Sequence, residues 1–75
     1  MLEPLPQVRA LWESLLHVHD LRSPDSFFEL GGTSILAAKL VSLVEDTLGV
    51  QILLSDVFEH STLGEFSALV ERARA

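Results

Sequence analysis

The sequence predicts an all-α fold: a small four-helix bundle with three longer helices and a short third one. Three observations carry this expectation. Apolar residues recur at helical spacing in three separate segments. The one stretch with strand-like composition, Val50-Gln-Ile-Leu-Leu54, has no second strand to pair with. Seventy-five residues without a cysteine must close a single core by packing alone.

In the first helix Val8, Leu11, Trp12, Leu15 and Leu16 form the apolar stripe of a surface helix. Pro4 and Pro6 stand at its start, where a missing N–H does little harm. A long connection follows, roughly residues 17–33, containing Ser23-Pro24-Asp25 and Gly31-Gly32. A loop of that length in so small a domain is usually functional. The second helix runs from about Ser34 to Leu48 and stops at Gly49, a C′ glycine. Residues 50–54 read as an extended linker into a short helical turn near Ser55 to Glu59. The last helix begins at Thr62, which forms a capping box with Glu65, and places Leu63, Phe66, Leu69, Val70 and Ala73 toward the core.

On the second helix Leu36, Ala37, Leu40, Leu43, Val44 and Leu48 gather on one broad face, the core face. The opposite face holds Ser34, Ala38, Ser42, Glu45 and, out of character, Ile35. An apolar anchor beside small Ala38 has the shape of a modest docking patch, and Lys39 borders it. The plainer alternative is a helix with one apolar residue on its solvent side.

Composition excludes several functions. A net charge of −6 and pI near 4.7 argue against nucleic acid and favour protein partners with basic patches. Hydrophobic residues at 48% and a mean hydropathy of +0.35 indicate a packed globule rather than a disordered tail. Glu3 and two prolines stand where a signal peptide would need basic and then apolar residues, and no run reaches bilayer-spanning length. The expectation is one soluble, cytoplasmic domain over residues 1–75, with its core at about 5–73, monomeric in isolation.

Ser34 is the focus of the chain. It follows two glycines and Thr33 and opens the strongest amphipathic pattern. A hydroxyl there is reachable and lies at the helix end that favours a phosphate. Such a serine suits modification by another protein better than catalysis of its own. Gly31 and Gly32 would clear side chains from a partner's path and permit unusual backbone angles, while Leu30 and Phe27 or Phe28 would pin the loop to the core.

The segment Asp25 to Ala38 resembles the attachment motif of thiolation domains, the peptidyl carrier proteins of nonribosomal peptide synthetases. That motif reads D-x-F-F-x-L-G-G-x-S followed by Leu or Ile, and every fixed element is present. The resemblance extends to Leu11-Trp12, to Val57-Phe58-Glu59-His60 and to Thr62-Leu63, and so covers essentially the whole chain. It implies a four-helix carrier with 4′-phosphopantetheine on Ser34, flanked by Gly32 and Thr33 in the cofactor-binding turn. A phosphopantetheinyl transferase would install the group from coenzyme A with magnesium. Adenylation, condensation and release or tailoring domains would then handle an aminoacyl or peptidyl thioester. Ile35, Ala38, Lys39, Ser42 and Val57 are the expected partner contacts. Thr33 departs from the histidine or aspartate commoner at its position and leaves the neighbouring domain open. Ile35, Leu36 and Lys39 replace the acidic residues that fatty-acid carriers present after the serine, while a polyketide or hybrid assembly line is the alternative.

Three rival functions differ in class. A hydrolase triad of Ser34 with His17, His19 or His60 lacks the Gly-x-Ser-x-Gly elbow. A metal held by His17-Val-His19-Asp20 fails because the two histidines fall at a helix end and point apart, so no metal site is expected. An unmodified helical adaptor would share the bundle but would make Ser34 dispensable.

Overall fold

The computed structural model describes residues 4–74. Helix α1 spans Pro6–Leu16, α2 Ser34–Leu48, α3 Leu54–Glu59 and α4 Leu63–Arg74. No described residue lies in a strand; the single isolated bridge pairs Ser26 with Thr62 in antiparallel sense. The expected four-helix bundle is therefore the observed fold, with the short third helix beginning one residue earlier than expected. No helix among the described residues is long and apolar enough to cross a membrane.

Local chemistry explains the helix ends. Pro6 occupies the first position of α1, where its fixed φ suits the helix. That helix stops at His17, which adopts the left-handed conformation (φ 56°) and donates its N–H to the Glu13 carbonyl. Thr33, in extended conformation, caps α2 by accepting the Leu36 N–H at its Oγ1 over 3.2 Å. Gly49 closes the same helix with φ 69°, the conformation that a side chain disfavours. Asp56 Oδ2 accepts the Leu53 N–H at 2.8 Å and starts α3. At α4 the capping box forms as expected: Thr62 Oγ1 accepts the Glu65 N–H at 3.2 Å, and Glu65 Oε1 accepts the Thr62 N–H at 3.5 Å.

Trp12 organises the core. Its ring meets Phe27 edge-on at 5.1 Å and Phe66 at 5.8 Å, joining α1, the long connection and α4. Val8, Ala37, Leu40, Val44, Val57, Leu63 and Val70 complete a solvent-free centre. Each fully buried large apolar side chain contributes about 1.5–3 kcal/mol relative to exposure. Leu21, Val50 and Ile52, which belong to the connections, are also buried, because in a bundle this small the loops must close the gaps between helices. Leu11, Leu15 and Leu69 are half-buried at the core margin. Ala73, expected toward the core, is exposed, as are all the residues 71–74 of the last turn of α4, which carries Arg72 and Arg74, charges that suit the negative pole of the helix. Among the described residues Ser67 is the one buried polar residue, and its Oγ accepts the Leu5 N–H at 2.6 Å, tying the segment before α1 to α4.

Candidate functional site

The connection between α1 and α2 is held from below by the junction of α3 and α4. Phe27 donates its N–H to the Ser61 carbonyl (2.8 Å), and the Asp25 carbonyl accepts the Leu63 N–H (2.9 Å). One step further, the Ser23 carbonyl accepts the Gly64 N–H at 2.9 Å. Asp25 Oδ2 closes its own turn by accepting the Arg22 N–H at 2.8 Å, so this carboxylate is structural. Phe27 is wholly buried, whereas Phe28 is half-buried and stacks on Phe58 of α3 at 4.9 Å and 8°. Both phenylalanines therefore pin the loop, one to the core and one to α3.

Residues 26–32 form a helical turn that ends on the two glycines. Gly31 donates to the Phe28 carbonyl (3.4 Å) and Gly32 to the Phe27 carbonyl (2.9 Å), with Gly31 at φ 104°. This is the Schellman arrangement, which requires a positive φ at the first glycine. The glycines have different tasks. A Cβ on Gly31 would meet nothing within 4 Å, so conformation alone selects it. A Cβ on Gly32 would lie 2.5 Å from Phe27 Cε2 and 2.6 Å from the Phe27 carbonyl oxygen. The absent side chain of Gly32 faces the Phe27 ring, not an approaching partner as the sequence implied.

From this turn Thr33 leads into Ser34, the first residue of α2, whose side chain is exposed and makes no hydrogen bond to a described residue. The N–H groups of Leu36 and Ala37 are taken by Thr33 Oγ1 and by the Thr33 carbonyl (2.8 Å). Those of Ser34 and Ile35 have no acceptor among the described residues. Two free amides at the positive pole of a fifteen-residue helix, beside an open hydroxyl, fit a phosphodiester on that oxygen. The Ser34 hydroxyl makes no hydrogen bond to His17, His19 or His60, all of which are among the described residues. His17 and His19 are exposed loop residues, and nothing joins them to Ser34.

The expected contact face divides. Ile35 is 78% exposed, and Ala38, Lys39 and Ser42 continue the open strip along α2. Val57 does not belong to it: the side chain is fully buried, because α3 turns that residue into the core to meet α2. The exposed apolar residues near it are Leu53, Leu54 and Phe58, which the sequence reading missed. Helical periodicity carries little information over a six-residue helix, so its inner and outer faces could not be told apart.

Comparison with known proteins agrees with this geometry. The phosphopantetheine attachment site family (PP-binding) matches residues 6–70. The chain is 38% identical over 68 residues to the non-canonical nonribosomal peptide synthetase hkm10 of Aspergillus hancockii, covering 88% of this chain and 7% of that protein. It is likewise 38% identical over 68 residues to tyrocidine synthase 3 of Brevibacillus parabrevis, covering 91% of this chain and 1% of that protein. It therefore spans only a small fraction of these relatives. Among solved structures, McyG A-PCP complexed with phenylalanyl-adenylate superimposes with a TM-score of 0.79 at 27% identity, over 91% of this chain and 12% of that one. With a family match over most of its length and relatives at 38% identity, the chain belongs to the phosphopantetheine attachment site family and is a non-catalytic carrier domain for covalently bound 4′-phosphopantetheine.

Proposed function

We propose that Ser34 is the attachment point and that the domain serves a nonribosomal peptide synthetase. The observation that carries this reading is the open Ser34 hydroxyl at the start of α2, beside the unpaired amides of Ser34 and Ile35. A phosphopantetheinyl transferase would use coenzyme A as donor. The serine oxygen loses its proton, bonds to the pantetheine-bearing phosphorus and displaces adenosine bisphosphate. Gly32 and Thr33 shape the turn that the transferase and the attached arm meet. The arm supplies a terminal thiol on which an aminoacyl or peptidyl group rides as a thioester.

Adenylation, condensation and release or tailoring domains are the partners of the loaded domain. Ile35, Ala38, Lys39 and Ser42 form its docking strip, with Leu54 and Phe58 as the contribution of α3 in place of Val57. The excess of acidic residues favours basic partner surfaces. The cytoplasm is its compartment, and the isolated domain is monomeric.

Intact-mass spectrometry before and after incubation with coenzyme A and a broad-specificity transferase tests the assignment. The wild-type chain gains one phosphopantetheine and Ser34→Ala gains none. An unmodified wild type, or a modified Ser34→Ala, overturns it.

A further inference from the structure

We infer that Phe27 is the positioning residue for the Ser34 hydroxyl, acting through Gly32. The inference rests on Ser34 as the attachment point and adds how the fold holds that oxygen in place. The Phe27 ring is fully buried, with Trp12 at 5.1 Å and Phe28 at 5.4 Å, so it has no open side to move toward. Its backbone is anchored separately by its N–H bond to the Ser61 carbonyl at 2.8 Å. Gly32 rests directly on this fixed group: the ring fills the space of the missing Cβ, and the Phe27 carbonyl accepts the Gly32 N–H at 2.9 Å.

Only Thr33 separates Gly32 from the serine, and Thr33 is itself fixed by its two capping bonds to Leu36 and Ala37. From Trp12 through Phe27, Gly32 and Thr33 to Ser34, each backbone joint is restrained. Core filling accounts for the burial of Phe27. It does not account for the ring lying against a backbone position that carries no side chain, two residues before the serine. A smaller or floppier residue at 27 leaves a gap beneath Gly32, and the turn then samples positions in which the hydroxyl misses the donor phosphate. A transferase that must select the correct position binds the carrier less well but reacts normally once it is bound.

The test compares Phe27→Leu and Phe27→Met with Val70→Ala, a variant at a fully buried core position on α4 that shares no hydrogen bond with the turn. Hydrogen exchange at the Gly32 amide and transferase kinetics with coenzyme A are measured on each, with global stability determined in parallel. In both Phe27 variants, Gly32 exchanges about tenfold faster than the stability change explains, the fold-change of one lost backbone hydrogen bond. The KM for the carrier rises while kcat holds. In Val70→Ala, Gly32 exchange follows global stability and KM is unchanged. If Phe27→Leu does not fold, Phe27→Met, whose flexible unbranched side chain follows an irregular cavity more easily, decides the matter. Equal Gly32 protection and equal KM in the Phe27 and Val70 variants overturn the inference. A wild-type chain that the transferase leaves unmodified sinks the Ser34 assignment instead, while the exchange comparison still reports on the Phe27–Gly32 contact.

Discussion

In the variant Ile35→Glu, the structure gives folding and docking opposite signs. Ile35 is 78% exposed in the isolated domain, so losing its residual burial costs the fold about 0.5 kcal/mol, a fifth of a fully buried isoleucine. As the second residue of α2 it sits at the positive helix pole, where a glutamate contributes about 0.3–1 kcal/mol in return. Net stability therefore changes little, and the melting temperature stays within about 4 °C of wild type. Docking is another matter. If a partner covers the exposed portion of Ile35, about 1–2 kcal/mol of apolar burial is lost, and a carboxylate is pressed against an apolar surface as well. A fall of about tenfold or more in kcat/KM follows for any partner that uses the strip. Thermal melts with transferase loading and adenylation-domain charging kinetics measure both sides. Unchanged kinetics with every partner would refute the docking strip. A melting temperature more than about 10 °C lower would refute the separation of docking from folding.

Trp12→Ala removes the ring that joins α1, the connection and α4, and destabilises by about 3–5 kcal/mol, enough to unfold much of so small a domain in a denaturant titration. Trp12→Phe is markedly milder, because the indole Nε1 is buried with no acceptor among the described residues and its removal relieves that cost. His17→Gly raises stability by about 0.5 kcal/mol: relief of the left-handed strain outweighs the added freedom of the unfolded chain, and the denaturation midpoint reports it. Gly49→Ala costs about 1 kcal/mol from φ alone, since its Cβ meets nothing. Gly32→Ala costs about 1–3 kcal/mol by overpacking against Phe27, and also slows transferase loading in a coenzyme A assay, which Gly49→Ala leaves untouched.

The helices were legible in the chain because their signals are local. Apolar spacing, Pro6, Gly49 and the Thr62–Glu65 pair each act within one or two turns of backbone, so α1, α2 and α4 appear near their expected bounds. The serine turn was legible for the same reason, as a contiguous run with an exposed residue on either side of the helix start. Which way α3 faces was not, and Val57 went inside while Leu54 and Phe58 stayed out. Six residues carry too little periodicity to choose a face; contact with α2 and the stack on Phe28 made the choice. Ala73 failed for a related reason: periodicity tells which residues share a face, not how far along the helix there is something to pack against. The two glycines look alike as letters, yet one answers to its own φ and the other to a ring five residues back, held by the core. Local backbone preference can be read from neighbouring residues. The close approach of Gly32 to Phe27 exists only once Trp12 and Ser61 have fixed that ring, and tertiary packing alone supplies it.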